Sequence, residues 1–190
     1  MGVALSWYVI RLMTGAIEFK APWSKTLRRV SVMTCIVLLS ITIGAFVAWR
    51  LTGVTGTLAG VVVPLLLLLV AAALMVTGYV LTDDHIVVKR LGWTTRLPLE
   101  GLRSVAGDQE AMYRSIKLFG SGGVMSYTGL FWNRKTGRYR AFATDPSRAV
   151  VLTYPDRKIV ITPDDPQRFI VRARSALKNR QSPWHSRVEP

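Results

Sequence analysis

The sequence predicts a two-part protein: a membrane α-helical hairpin, followed by a soluble α+β or all-β domain of about seven short strands closed by one C-terminal helix. Three observations predict it. Two apolar runs without a charged side chain, Val30 to Trp49 and Leu58 to Val80, lie in the first half of the 190-residue chain. After Val80 the pattern changes to short β-like runs separated by turn residues. Near the end, Phe169, Ile170, Ala173 and Leu177 recur at helical spacing. The predicted division is an N-terminal cytoplasmic or interfacial segment over 1–29, a transmembrane hairpin over 30–80, a β domain over 81–178 and a disordered tail over 179–190.

Each apolar run is about twenty residues long, which at roughly 1.5 Å of rise per residue matches a hydrocarbon core about 30 Å thick. Core helices of soluble proteins rarely run that far without a polar stripe. Lys20, Lys25, Arg28 and Arg29 precede the first run, Lys89, Arg90 and Arg96 follow the second, and the connecting loop offers only Arg50. The positive-inside rule therefore predicts a multi-pass inner-membrane protein with both termini in the cytoplasm. The first run exceeds the length of a signal-peptide core, and a second span follows at once. Ser40, Gly44 and Ala48 form a small-residue ridge suited to close helix approach, and Pro64 falls in the first turns of the second span. With no ionisable side chain at depth, the hairpin lacks material for a proton relay or ion path. The single cysteine, Cys35, excludes an intrachain disulfide.

Before the hairpin, Val3, Trp7, Ile10 and Ile17 fall on one helical face, as in a helix lying in the interface plane; a translation start at Met13 accounts for the same stretch equally well. The opening MGVALS is a weak match to an N-myristoylation pattern. Trp23 and Trp49 stand near the two ends of the first span, at headgroup level.

Beyond the hairpin, strands are predicted at His85 to Arg90, Thr94 to Leu99 and Gly101 to Gly107. Two hairpins follow, Gly129 to Asn133 with Arg138 to Thr144, and Ala149 to Tyr154 with Lys158 to Thr162. Along Arg138 to Thr144, Arg138, Arg140 and Phe142 alternate with Tyr139, Ala141 and Ala143, which makes one face basic. Asp165 and Pro166 supply the cap and first-turn proline of the last helix, with carboxylates where the helix dipole favours them.

Several phrases carry a likeness: FKAPWSK from Phe19 to Lys25, YVLTDDHIVV from Tyr79 to Val88, LFGSGGVMSYTGLFWN from Leu118 to Asn133, and VITPDDPQRFI from Val160 to Ile170. In these the chain resembles the bacterial membrane-associated pleckstrin-homology-like family over about residues 19 to 178. The resemblance implies a seven-stranded PH-like barrel capped by its helix, held at the membrane by an N-terminal hairpin. Eukaryotic phosphoinositide-binding relatives cluster Lys and Arg in the first hairpin of the barrel. Here that turn is Asp83-Asp84, so phosphoinositide binding does not carry over.

Enzyme chemistry finds little material. Gly120, Gly122 and Gly123 could present backbone amides to a phosphate, but no G-x-G-x-x-G or Lys-Ser/Thr ending accompanies them, and a bulged bend is the expectation. Gly120, Gly122, Gly123 and Gly129, with Asp165, Pro166 and Phe169, are expected to be structural. Asp83, Asp84 and His85 read as a turn entering a strand, so neither metal nor cofactor is expected. A net charge of +14 calls for a polyanion or simply sets topology; for a tethered chain anionic lipid comes before nucleic acid, which is not an expected partner. The candidate lipid- or partner-facing residues are Arg114, Lys117, Arg134, Lys135, Arg138, Arg140 and Trp132. The expected function is non-catalytic binding, of a membrane protein partner or second copy or of anionic headgroups. The alternatives are a nucleotide-dependent enzyme or regulator using the Gly120 to Gly123 bend, and a small transporter or channel subunit.

Overall fold

In the computed structural model, which describes residues 16–181, the first apolar run begins five residues earlier than its composition suggests, as helix α1 from Lys25 to Thr52. Ser24 starts it: its Oγ accepts from the Leu27 N–H at 3.1 Å. Gly53 ends it, its N–H donating to the Trp49 carbonyl at 2.9 Å. A 3₁₀ turn from Thr55 to Leu58 leads into helix α2, Ala59 to Ala73. Turn and helix together reach about 30 Å. Both segments are long and apolar enough to cross a membrane, and only 6% of each apolar window is buried, unlike a core helix of a soluble protein. Their hydroxyls turn back on their own helices: Ser40 Oγ donates to Ile36 O at 2.9 Å and Thr42 Oγ1 to Leu38 O at 2.8 Å. The helices approach closely at Gly60, where an added Cβ would stand 2.8 Å from the Ala45 Cβ, whereas Gly44 of the expected ridge faces open space.

Helix α2 stops at Ala73, short of the predicted Val80. The apolar residues after it, Val76, Tyr79, Val80 and Leu81, form a strand and are buried in the soluble core. Hydrophobicity alone does not separate the two uses.

Among the described residues the strands number ten and lie in two sheets, not the seven of a closed barrel. The first sheet joins β1 (Ile17–Lys20), β2 (Val76–Leu81), β3 (His85–Arg90) and β4 (Thr94–Pro98) in that order, all antiparallel. The helical hairpin is thus inserted between two paired neighbours, β1 and β2, so both of its ends are tied to one sheet. Ile17, assigned from sequence to an interfacial helix, is in β1 instead. The predicted helical face at Val3, Trp7 and Ile10, the alternative start at Met13 and the MGVALS pattern lie outside the described residues.

The second sheet comprises β5 (Ser104–Gly107), β6 (Ile116–Val124), β7 (Ser126–Asn133), β8 (Gly137–Ala143), β9 (Val150–Thr153) and β10 (Lys158–Ile161), ordered β5-β9-β10-β8-β7-β6. β8 and β10 run parallel, and the other pairs are antiparallel. The main core lies between the sheets, where Ile86, Val88, Phe142, Leu152 and Ile161 meet helix α3 (Pro166–Gln181). Asp165 Oδ1 accepts from the Arg168 N–H at 2.9 Å and caps α3. Phe169 is fully buried, with its ring edge-on to Phe19 at 5.1 Å between centroids. The helix continues to Gln181, two residues beyond the predicted start of the tail's disorder at 179; residues 182–190 lie outside the described residues.

Tyr79 fastens the two sheets. Its hydroxyl donates to Phe142 O at 2.6 Å and accepts from the Thr162 N–H at 3.1 Å, and burial pushes its pKa up to about 12. A smaller cluster of Phe131, Tyr139, Ala141 and Val160 lies on the opposite face of the second sheet, beneath Ala111. Asn133 pins that cover, its Nδ2 donating to Ala111 O at 2.8 Å and its Oδ1 accepting from the Thr136 N–H at 2.6 Å.

Candidate functional site

Strands β6 and β7 form a ribbon at one edge of the second sheet, and most of the candidate residues belong to it or to its neighbour β8. Its glycines permit a backbone approach that no side chain allows. Gly120 and Gly129 face each other in register at φ 107° and 138°; an added Cβ would stand 2.2 Å from Thr128 O in the first case and 2.1 Å from Phe119 O in the second. Register shifts fall between Lys117 and Phe119 and between Gly122 and Val124. Gly120, Ser121 and Gly122 pair with Gly129, Thr128 and Tyr127, so these residues are part of the ladder and do not form an open phosphate nest. Gly122 makes room for the Lys117 side chain, and Gly123 for the Tyr127 ring.

The ribbon turns at Met125, a non-glycine residue at φ 60°. Its N–H donates to Ser31 Oγ of α1 at 2.8 Å. Just beyond, Ser126 Oγ donates to Leu74 O, the residue after α2, at 3.2 Å, and lies 2.9 Å from Thr128 Oγ1. Small hydroxyls therefore wedge the tip between the start of one helix and the end of the other. These contacts satisfy a helix-terminal carbonyl that a buried end would otherwise leave unpaired.

At the far end the chemistry reverses. Ile116, Leu118 and Phe119 are 59%, 50% and 78% exposed on an edge strand, and Trp132 is 39% exposed. Trp132 pairs in register with Ile116 on one side and Arg138 on the other, and Leu130 pairs with Phe119 and Arg140. Directly paired residues share a face, so Ile116, Phe119, Trp132, Arg138 and Arg140 form one surface of apolar and guanidinium groups. Arg114, at φ 49°, lies over the Tyr113 ring at 5.5 Å beside this end.

The other candidate cations do not join that surface. Lys117 pairs with the buried Phe131 on the opposite face. Lys135 is exposed but committed to two carboxylates, with its Nζ 2.9 Å from Asp108 Oδ1 and 3.0 Å from Glu110 Oε2. Those bonds raise the Lys135 pKa, and the one to Asp108 lowers that carboxyl's. Arg134 is exposed in the β7–β8 turn.

Two groups outside the predicted set are equally prominent. Leu91 and Trp93, in the β3–β4 turn, are 64% and 46% exposed next to the end of α2. Arg90, at the end of β3, lies over Trp93 at 5.3 Å. Burial lowers its pKa, and the charge of Arg140 lowers it further. The signal for the first pair was the Leu-Gly-Trp turn itself; for Ile116, Leu118 and Phe119 it was an apolar run with no charged partner strand. Among the described residues, no three His, Cys, Asp or Glu side chains gather where a metal could be held.

The model of a family described as bacterial PH domain matches residues 77–177, from β2 to α3. No curated protein and no solved structure matches the chain.

Proposed function

Since the chain belongs to the bacterial PH domain family, we propose that it is a non-catalytic binding module, anchored in the cell membrane by its hairpin with both termini in the cytoplasm, whose β domain docks a partner protein. The observation carrying this reading is the distal half of the β6–β7 ribbon. An edge strand with Ile116, Leu118 and Phe119 exposed is a template for another chain unless something covers it. Ile116 lies eight residues from Val124, roughly 25 Å along the ribbon from the tip that touches the helices. Lipid at the hairpin's base therefore does not account for the exposure of Ile116. Strand addition along β6 gives affinity through main-chain hydrogen bonds. Arg138 and Arg140 beside it favour a segment that interleaves acidic with apolar residues.

An anchored domain gains little localisation from further lipid affinity, which is why protein docking leads. The basic flanks of the hairpin support the cytoplasmic orientation. The test places a photoreactive side chain at Phe119 of the full-length protein in its native membrane, with Val171, 61% exposed on α3, as control. A protein adduct is expected at Phe119 and not at Val171. A chain that yields no protein adduct and purifies as a lone monomer in mild detergent would overturn the reading.

A further inference from the structure

Two guanidinium groups converge on one ring. Phe142, on β8, is fully buried, and the guanidinium carbons of Arg90 and Arg140 lie 4.7 Å and 5.3 Å from its centroid. They come from different sheets, Arg90 from the end of β3 and Arg140 from the middle of β8. The charge of Arg140 disfavours that of Arg90, and a folded chain ordinarily sets a carboxylate beside such a pair. Here neither guanidinium pairs with a carboxylate or donates a hydrogen bond to any described residue; the ion pairs engage Lys89, Lys135 and Arg148 instead. The Arg90 Nε is buried and has no acceptor among the described residues. A buried charged donor left without a partner costs stability, so the arrangement calls for an anion.

Its position says which anion is at hand. The Arg90 N–H donates to Trp93 O at 3.0 Å, and the Leu91 N–H to Met75 O at 3.3 Å, two residues past the end of α2. Phe142 pairs in register with Thr128, whose Oγ1 is 3.5 Å from Leu74 O. The ring is therefore level with the foot of the helical hairpin, where exposed Trp93 and Leu91 also lie, and where a spanning helix meets lipid headgroups. This is the end of β3 opposite the Asp83-Asp84 turn.

The geometry points to Arg90 and Arg140 as a clamp for a phosphate oxyanion, supplied by the phosphodiester of an anionic phospholipid. A planar guanidinium matches phosphate with two parallel N–H donors, and one diester charge relieves the repulsion between the pair. The lipid source rests on the hairpin's being in the membrane. Arg140 also borders the β6 edge, through Leu130, but the lipid contact does not depend on a protein partner.

The test uses the full-length protein in detergent containing equal phosphatidylglycerol and phosphatidylcholine, with retained lipid counted by native mass spectrometry. Phosphatidylglycerol should be retained preferentially, and Arg140→Gln should reduce its retention about tenfold, the loss of one charge-assisted contact. Arg138→Gln, on the same face two residues away, should leave retention unchanged, and Arg140→Lys should restore part of it. Without lipid, Arg140→Gln should raise the unfolding temperature, because it removes the repulsion. A merely structural arginine would lower it. Binding of inorganic phosphate, followed by phosphorus NMR and lost in Arg140→Gln, would uphold the clamp with a free phosphate as its source. The clamp is overturned if neither probe binds, or if Arg138→Gln and Arg140→Gln lose the lipid equally. Release of the chain by alkaline carbonate would overturn the membrane reading separately.

Discussion

The two ends of the β6–β7 ribbon are built from the same pair of strands yet solve opposite problems. At the tip, Gly120, Gly122, Gly123 and Gly129 bring backbones together, the Met125 N–H donates to Ser31 Oγ, and Ser126 Oγ donates to Leu74 O at the foot of the helical hairpin. At the far end, Ile116, Leu118, Phe119 and Trp132 present large apolar side chains that the described residues leave exposed in part. The difference teaches where the chain has supplied its own partner. Close approach to a helix end leaves room only for small residues and requires an acceptor or donor for every terminal backbone group. A contiguous patch of large exposed apolar side chains marks a surface where something outside the chain gains by removing it from water.

The comparison breaks most completely at Gly129. Gly129→Val would place a branched side chain where a Cβ already stands 2.1 Å from a backbone oxygen, at a φ of 138°. Loss of at least about 3 kcal/mol is expected, measured as the shift in denaturant midpoint of the detergent-solubilised protein. An unchanged midpoint would mean that the ribbon is not paired glycine to glycine. A smaller effect sharpens the grip on the helices. Ser31→Ala leaves the Met125 N–H without its acceptor, and Ser126→Ala removes the Leu74 O donor; each should cost about 1 to 2 kcal/mol by the same measurement. Their double variant should deviate from additivity, since both side chains hold one tip. The smallest change in stability is expected at the far end. Phe119→Ser, at a side chain 78% exposed, should leave the midpoint within about 0.5 kcal/mol while abolishing cross-linking of Ile116-labelled protein to its partner. A Phe119→Ser variant that unfolds would show that Phe119 belongs to the internal packing, and the contrast between the two ends would fail.

Much of this was legible in the sequence, and the reasons for the exceptions are particular. The last helix could be read because its signals are local: Asp165 caps it, Pro166 opens it and Phe169 begins its buried stripe. The end of the second span could not, because Val76 to Leu81 continues the uncharged run, and its pairing and burial in the soluble domain are what distinguish it from the helix. Strand β1 escaped notice because its partner β2 is across the whole hairpin, and a four-residue strand has no periodicity of its own. The run of Lys and Arg after Arg114 looked like one cationic face. Pairing divides it: Lys135 is occupied by Asp108 and Glu110, Lys117 faces away, and Arg140 meets Arg90, fifty residues earlier in the chain.

The sequence by itself determined that two long apolar runs precede a β-rich module, and it identified the family, because length, charge and turn chemistry are properties of contiguous residues. Only the tertiary structure decided that ten strands form two open sheets, that the hairpin is inserted between paired strands, and which cations are free. Those outcomes depend on strand register and on distances between residues far apart in the chain. Neither is carried by any local pattern, since a one-residue change of register exchanges every inward side chain for an outward one.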